Sequence, residues 1–397
     1  MLLDTAPLWL QGLFVAAVSA GAGASVFVYS LNRQLSYVEF LHKRVLLGGV
    51  LAILVGSAAA GLSAALGWLS GPWLKAYLLL PGSILAILLF GEVRLVWQRF
   101  RYKAPKPDYR ETHVFDGVKL VSIKDRNPPY KSWHPVKTTH LAVARYHVDV
   151  HGVSLPPSSQ GETLKVVQLS DFHYSPRLPF AYFRTAVERA MLEEPDLVLL
   201  TGDFVTFSED ASRLPELFAG LRGRLGTFAT LGNHDYWSGS QAVVDALRQA
   251  GIPLISNDCV RLPLWEGVSL CLCGIDDPWG EPLWEPPQLD PGDLNLIISH
   301  SADNIYRLRQ YPFTGVFSGH FHAGQVRLPG FGALVLPSRF GRRFDHGHFM
   351  FKNPYAAGRT HLFVSAGVGS ATPLLRIYCQ PDIFVVNFQV AHPSHLG

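Results

Sequence analysis

The sequence lacks an excess of charge of either sign, with 34 Lys and Arg against 31 Asp and Glu over 397 residues and a formal net charge of +3. A weak charge balance with dispersed basic residues gives no footing for a nucleic-acid partner. Cysteine is scarce as well. Cys259, Cys271, Cys273 and Cys379 show neither CxxC spacing nor a disulfide framework, so unpaired, small apolar residues in a reducing compartment are expected. There is no internal repeat and no low-complexity tract. What the long apolar runs of the first hundred residues nearly lack is charge itself. Three apolar runs, at about 8–31, 45–68 and 73–91, each come near the roughly 20 residues that a helix needs to cross a hydrocarbon core.

These runs predict three transmembrane helices that make residues 1–98 a membrane anchor. A cleaved signal peptide fits poorly, because Asp4 and no Lys or Arg precede the first run and two more runs follow. Small residues recur every fourth position at Ala17, Gly21 and Ser25, and again at Gly48, Ala52, Gly56 and Ala60, which lets helix backbones approach closely. Arg33, Lys43 and Arg44 follow the first run and Arg99, Arg101, Lys103, Lys106 and Arg110 the third, while Lys75 stands alone at the other turn. That bias puts the amino terminus outside and the large carboxy-terminal domain in the cytoplasm, anchored in the inner membrane. No charged pair at mid-depth and no inverted repeat supports a transporter. Residues 99–160 read as a connector bearing Pro and Lys, with His140–Val150 as an edge strand, and residues 161–397 as the globular domain.

Within that domain, short apolar runs of strand character end repeatedly in ligand-type residues. Lys165–Leu169 runs into Asp171 and His173; Leu197–Leu200 into Gly202 and Asp203; Thr227–Leu231 into Asn233, His234 and Asp235; Leu294–Ser299 into His300; and Gly315–Phe317 into His320 and His322. A helix is expected over Pro179–Glu194. Ligand-binding residues in α/β sheets gather beyond the carboxyl ends of strands. Any one of these histidines is more easily a core or surface residue, but the ordered set is hard to explain as packing. Carboxylate and amide oxygens with imidazole nitrogens, and no thiolate, suit hard-to-borderline divalent ions. Two such ions sharing a carboxylate serve in-line phosphoryl displacement without a Ser or Cys nucleophile.

In order, Asp171-Phe172-His173, Gly202-Asp203, Gly232-Asn233-His234-Asp235, His300 and Gly319-His320-Phe321-His322 resemble the pattern of the calcineurin-like metallophosphoesterases. The resemblance runs from about Leu164 to the carboxy terminus. It implies an α/β sandwich of two mixed β-sheets flanked by helices, standing apart from the transmembrane helices. It also implies that Asp171, His173 and His322 hold one divalent ion, that Asn233, His300 and His320 hold the other, and that Asp203 bridges them. Mn²⁺ is the expected ion, with Fe or Zn as alternatives. His234 is similar to the family histidine that faces the phosphate and donates a proton to the leaving group, and Asp235 is expected to orient it.

Gly324–Pro329, Pro337–Arg343 and Val364–Gly369 resemble the membrane-associated bacterial branch, from which Phe321, Ala323 and Ala366 depart. Related calcineurin-like enzymes split the pyrophosphate of UDP-diacylglucosamine, so the resemblance implies a phosphate ester or pyrophosphate on a lipid as the expected substrate, with phospholipid or polyprenyl-phosphate headgroups beside it. Soluble nucleotides or phosphoproteins, and a catalytically inactive metal-holding scaffold, are the alternatives. For Arg342 and Arg343, headgroup binding and simple solvation both stand open; His346 and His348 read as loop residues, and Trp237 as either cleft-lining or buried. The loops 279–287 and 331–348 are expected to read whatever the substrate carries beyond its phosphoryl group. Nothing in the sequence speaks to oligomeric state.

Overall fold

The computed structural model describes Trp97 and residues 106–122, 135–150 and 162–390, apart from 277, 281–283, 330, 331 and 357. The three runs expected to cross the membrane lie outside the described residues. Among the described residues no helix is long and apolar enough to cross a membrane. The chain divides into two compact units, one of Met1–Arg101 with Val335–Arg343 and one of Tyr102–Leu334 with Phe344–Gly397. The second unit carries the sheets.

Its first sheet is seven-stranded, in the order β2-β1-β3-β15-β4-β5-β6. These strands are β1 Tyr109–Phe115, β2 Leu120–Ser122, β3 His140–Val150, β4 Thr163–Leu169, β5 Leu197–Leu200, β6 Gly226–Ala229 and, far along the chain, β15 Asp382–Val390. The second sheet is six-stranded, in the order β13-β14-β10-β9-β8-β7, from β7 Asp258–Trp265, β8 Val268–Ile275, β9 Leu294–Ser299, β10 Gly315–Ser318, β13 Gly347–Asn353 and β14 Gly358–Val364. A two-stranded ribbon, β11 Arg327–Leu328 with β12 Gly332–Ala333, completes the strands. Both larger sheets are mixed: β4, β5 and β6 run parallel while β15 meets β4 antiparallel, and β8, β9, β10 and β14 run parallel while β7 and β13 close the edges antiparallel.

One apolar core lies between the sheets, where Leu164, Val166, Leu199 and Val386 meet Leu272, Leu296, Ile298 and Phe317. The other face of the first sheet buries Val167, Leu169, Val198 and Leu200 with Tyr182, Phe183, Ala186 and Val187 of the helix Phe180–Met191. Alternate residues of β4 therefore serve opposite cores, as the period of a strand requires. Strands with two buried faces read as unbroken apolar runs, which is why Leu197–Leu200 and Leu294–Ser299 emerge from the sequence with the same bounds as from the structure.

Three expectations are corrected. The segment taken as a connector supplies β1, β2 and β3, so this unit starts well before residue 161. His140–Val150 is no edge strand: β1 pairs with one side and β15 with the other, and β15 arrives from more than 230 residues away in sequence, counted from His140 and Asp382. Finally, Cys259 and Cys273 stand directly opposite one another in the β7/β8 pairing and form a disulfide, whereas Cys271 and Cys379 remain free and buried. Hairpin register set the two sulfurs together, and spacing along the chain carried no sign of it.

Candidate metal centre

The carboxyl ends of β4, β5, β9 and β10, with the turn after β6, deliver the functional side chains to one place. Asp171, His173, Asp203 and His322 bring ligand atoms within 4.8 Å of one another, and so do Asp203, His300 and His320. Asp203 is common to both groups. Its Oδ2 lies 3.3 Å from His173 Nε2 and 3.3 Å from His300 Nε2. Asn233 joins the second group, with Oδ1 at 3.2 Å from His300 Nε2. All seven side chains are buried.

Backbone geometry holds the cluster in place. Asp171, His173, Asp203, His320 and His322 all have positive φ, between 41° and 68°, a region that L-residues other than Gly, Asn and Asp seldom occupy. Conformational strain of this kind gathers at functional sites, where surrounding contacts enforce it. Two glycines make the approach possible. A side chain at Gly319 would collide with Ser170 Oγ and the Asp171 carboxylate, and one at Gly202 would collide with the backbone at Leu231 and Gly232 and with the His300 ring.

The electrostatics follow from burying these groups together. Burial raises the pKa of Asp171. For Asp203 burial also acts to raise it, but the charges of His300 and His234 and hydrogen bonds from His173 and His300 outweigh burial and hold it well below the usual carboxylate range. Burial acts to lower His300, yet the Asp203 carboxylate raises it to about 9. Burial, His173 and Arg376 together push His322 well below the usual imidazole range. Nitrogen faces nitrogen in the middle, His173 Nε2 standing 2.9 Å from His322 Nε2. Lone-pair donors converge here on a common point, an arrangement that fits divalent cations, and oxygen with imidazole donors suits ions of borderline hardness.

His234 is less buried than the ligand set. Its backbone N–H donates to Asp203 Oδ1 at 2.8 Å, and its ring lies 4.6 Å from that of His173 and 5.0 Å from that of Trp237. Trp237 is 53% exposed, so it borders the site and is not a core residue. The Asp235 carboxylate accepts the backbone N–H groups of Asp203, Phe204 and Gly232 at 2.8, 2.9 and 2.8 Å, so it fixes the backbone that carries Asp203. Burial, with the nearby Asp203 charge, raises it to about 7.

Arg342 and Arg343 occupy a short 3-10 turn, Gly341–Phe344, in the segment that groups with the other unit. His348 proves to be a strand residue, stacked on Phe363 at 4.4 Å, and His346 meets Asp382 at 2.5 Å. Two residues escaped the sequence reading. Trp279, noted only as the start of a loop, lies 4.8 Å from His320 and 5.5 Å from His300, ring to ring. Arg376 is fully buried beneath His322; a lone arginine in Leu374-Leu375-Arg376-Ile377 was the available signal, but its contact with His322, 54 residues away, was not legible.

A fold of two mixed sheets with a buried Asp, Asn and His cluster at strand ends defines a metal-dependent phosphoester hydrolase. The model of the calcineurin-like phosphoesterase family matches residues 164–324. The phosphodiesterase YaeI of Escherichia coli (strain K12) is 30% identical over 228 residues, covering 56% of this chain and 81% of that protein. The uncharacterized metallophosphoesterase YkuE of Bacillus subtilis (strain 168) is 29% identical over 233 residues, covering 57% of this chain and 79% of that one. The UDP-2,3-diacylglucosamine pyrophosphatase LpxG of Chlamydia trachomatis (serovar D) is 26% identical over 219 residues, covering 42% and 65%. The chain belongs to the calcineurin-like phosphoesterase family, whose members use a dinuclear metal centre.

Proposed function

We propose that this enzyme hydrolyses a phosphodiester or pyrophosphate bond of a membrane-borne lipid, with two divalent ions, Mn²⁺ foremost, held at the strand-end cluster. The observation that carries the reading is the sharing of Asp203 between two groups of converging ligand atoms. Asp171, His173 and His322 would hold one ion, Asn233, His300 and His320 the other, and Asp203 both. When bound, the ions supply charge neutralisation at the phosphoryl oxygens and a lowered pKa for water.

The chain's own residues do the rest. His234, beside this pair and more exposed than the ligands, donates a proton from its ring to the leaving oxygen. Asp235 holds the backbone under Asp203 through three N–H groups. A lipid substrate is supported by the apolar runs ahead of the catalytic unit, since tethering raises effective concentration only toward substrates in the same membrane. The named activity of LpxG supports UDP-diacylglucosamine as a member of the panel, with phospholipids beside it; that of YaeI supports phosphodiesters.

The test is hydrolysis by detergent-purified protein with Mn²⁺ of UDP-diacylglucosamine, phospholipids and soluble nucleotides, following UMP, headgroup and phosphate release. Turnover of the lipids is expected, and loss of about 10²- to 10⁴-fold in His234→Ala with its metal content retained. Turnover confined to soluble nucleotides would refute the membrane substrate. As to location, the positive charges flanking the apolar runs favour the cytoplasmic face, and the Cys259–Cys273 disulfide favours an oxidising compartment. We assign the cytoplasmic face on the charge bias. Reaction of a cysteine introduced at Ser212 with an impermeant reagent in intact cells would overturn that assignment.

A further inference from the structure

Arg376 is the largest fully buried side chain in the described structure, and a guanidinium is costly to bury unless its donors are satisfied. No carboxylate is among its hydrogen-bond partners, which are the backbone carbonyls of His322, Ala366, Gly367 and Gly369 and the side chains of Ser370, Cys379 and His322. Nε donates to Gly369 O and Ser370 Oγ, each at 3.0 Å. Nη2 donates to Ala366 O at 2.6 Å and also to the carbonyls of Gly367 and Gly369. Nη1 reaches His322 O at 3.4 Å and Cys379 Sγ at 3.5 Å, and Nη2 lies 3.3 Å from His322 Nδ1. One planar fork thus joins the turn that carries His322 to the loop Ala366–Ser370.

That loop supports a second ligand in turn. Val368 N–H donates to Ser170 O and Gly369 N–H to Asp171 O, both at 2.9 Å, and the α-carbon of Gly367 faces the Asp171 side chain so closely that a methyl group there would lie 2.5 Å from Asp171 Cβ. Arg376 is itself anchored from outside the site, its N–H donating to Thr138 Oγ1 at 3.1 Å and its carbonyl accepting from Lys137 N–H at 2.8 Å. Asp171 and His322 belong to the same ligand group. None of the bonds made by Arg376 touches Asn233, His300 or His320.

We infer that Arg376 is a positioning residue for one half of the site, the half of Asp171, His173 and His322, and sets the affinity for one ion without setting that for the other. The inference rests on the two-ion reading. Both His322 and Asp171 sit at positive φ, so each relaxes away from its ligand geometry once the clamp is gone; in the other group His300 keeps its bond to the Thr201 carbonyl at 2.6 Å, while His320, whose N–H donates to the Asp171 carboxylate at 3.0 Å, is a link between the two halves. Outer residues that hold metal ligands typically contribute about 10- to 100-fold to metal affinity.

The experiment measures Mn²⁺ stoichiometry and affinity for the parent, Arg376→Met and Arg376→Lys, together with the electron paramagnetic resonance spectrum of each loaded protein. The parent is expected to hold two ions per chain with a spin-coupled signal. Arg376→Met is expected to keep one ion at parental affinity, to bind the second about 10- to 100-fold more weakly, and to show the six-line signal of an isolated ion. Arg376→Lys, which restores the charge with fewer donors, should fall between. Circular dichroism of the metal-free proteins serves as the check on folding, and if Arg376→Met does not fold, Arg376→Lys gives the same split to a smaller degree. A coupled pair at parental affinity in the variants would overturn the role of Arg376, as would equal weakening of both ions. A parent that binds fewer than two ions would instead overturn the two-ion reading, and the inference with it.

Discussion

Where β1, β3 and the helix Phe180–Met191 meet, Arg145 pairs with Glu193 at 2.5 Å, and Arg189 pairs with Glu193 at 2.7 Å and with Glu111 at 3.1 Å. Two guanidinium groups face two carboxylates, so the charges balance within the group. At the strand-end cluster the same unit buries Asp171 and Asp203 among four imidazoles whose ring nitrogens point at one another and at the carboxylates. Ligand-type atoms crowd there, with His173 Nε2 facing His322 Nε2 at 2.9 Å. Buried charge is tolerated only with compensation. Where opposite charges simply pair the cluster ties elements together; where carboxylates and imidazoles converge as two groups of ligand atoms around a shared Asp203 the cluster is built for a cation.

The sharpest way to break this contrast is Asp203→Ala, which removes the carboxylate common to both ligand groups. Metal content by elemental analysis is expected to fall from two ions toward none, and turnover to fall by at least about 10⁴-fold, the upper end for one lost acid–base group. Retention of a full complement of ions would end the case for a bridging role. Next comes His234→Ala, which separates the two properties by keeping metal and losing turnover.

The smallest effect on activity is expected at the balanced cluster. Glu193→Gln should leave metal content and turnover unchanged while lowering stability by about 1.5–3 kcal/mol, the range for hydrogen bonds to charged groups, read from the denaturant midpoint. Burial acts to raise the Glu193 pKa, but hydrogen bonds from Arg145 and Arg189 outweigh it and the net shift is downward. A folded pKa below the unfolded one means that the carboxylate contributes stability above the unfolded value, roughly 4.3, and loses it as pH falls through the lower folded value. The gap between parent and variant should therefore close in acid. A gap that widened in acid, or lost turnover at neutral pH, would erase the distinction between the clusters.

Particular residues show how far the sequence reached. Asp171, Asp203 and His300 were legible because each follows a strand buried on both faces, and such a strand is an apolar run whatever surrounds it. The helix Phe180–Met191 was legible within a few residues for a similar reason, its buried positions Phe183, Ala186, Val187 and Ala190 lying on one face. Asp235 was legible as part of the motif, but its hold on the Asp203 and Phe204 amides, some thirty residues upstream, was not.

The order of strand-end ligands, and with it the family and the class of reaction, was thus determined by the sequence alone, because strand burial and ligand chemistry are both local properties. Tertiary structure decided what depends on residues far apart in the chain. It inserted β15 beside β3, so that an expected edge became an interior strand. It set Cys259 opposite Cys273 through hairpin register, and it brought the arginine at position 376 under the histidine at 322. Non-local pairing follows from the packing of whole elements, and no short window of sequence encodes it.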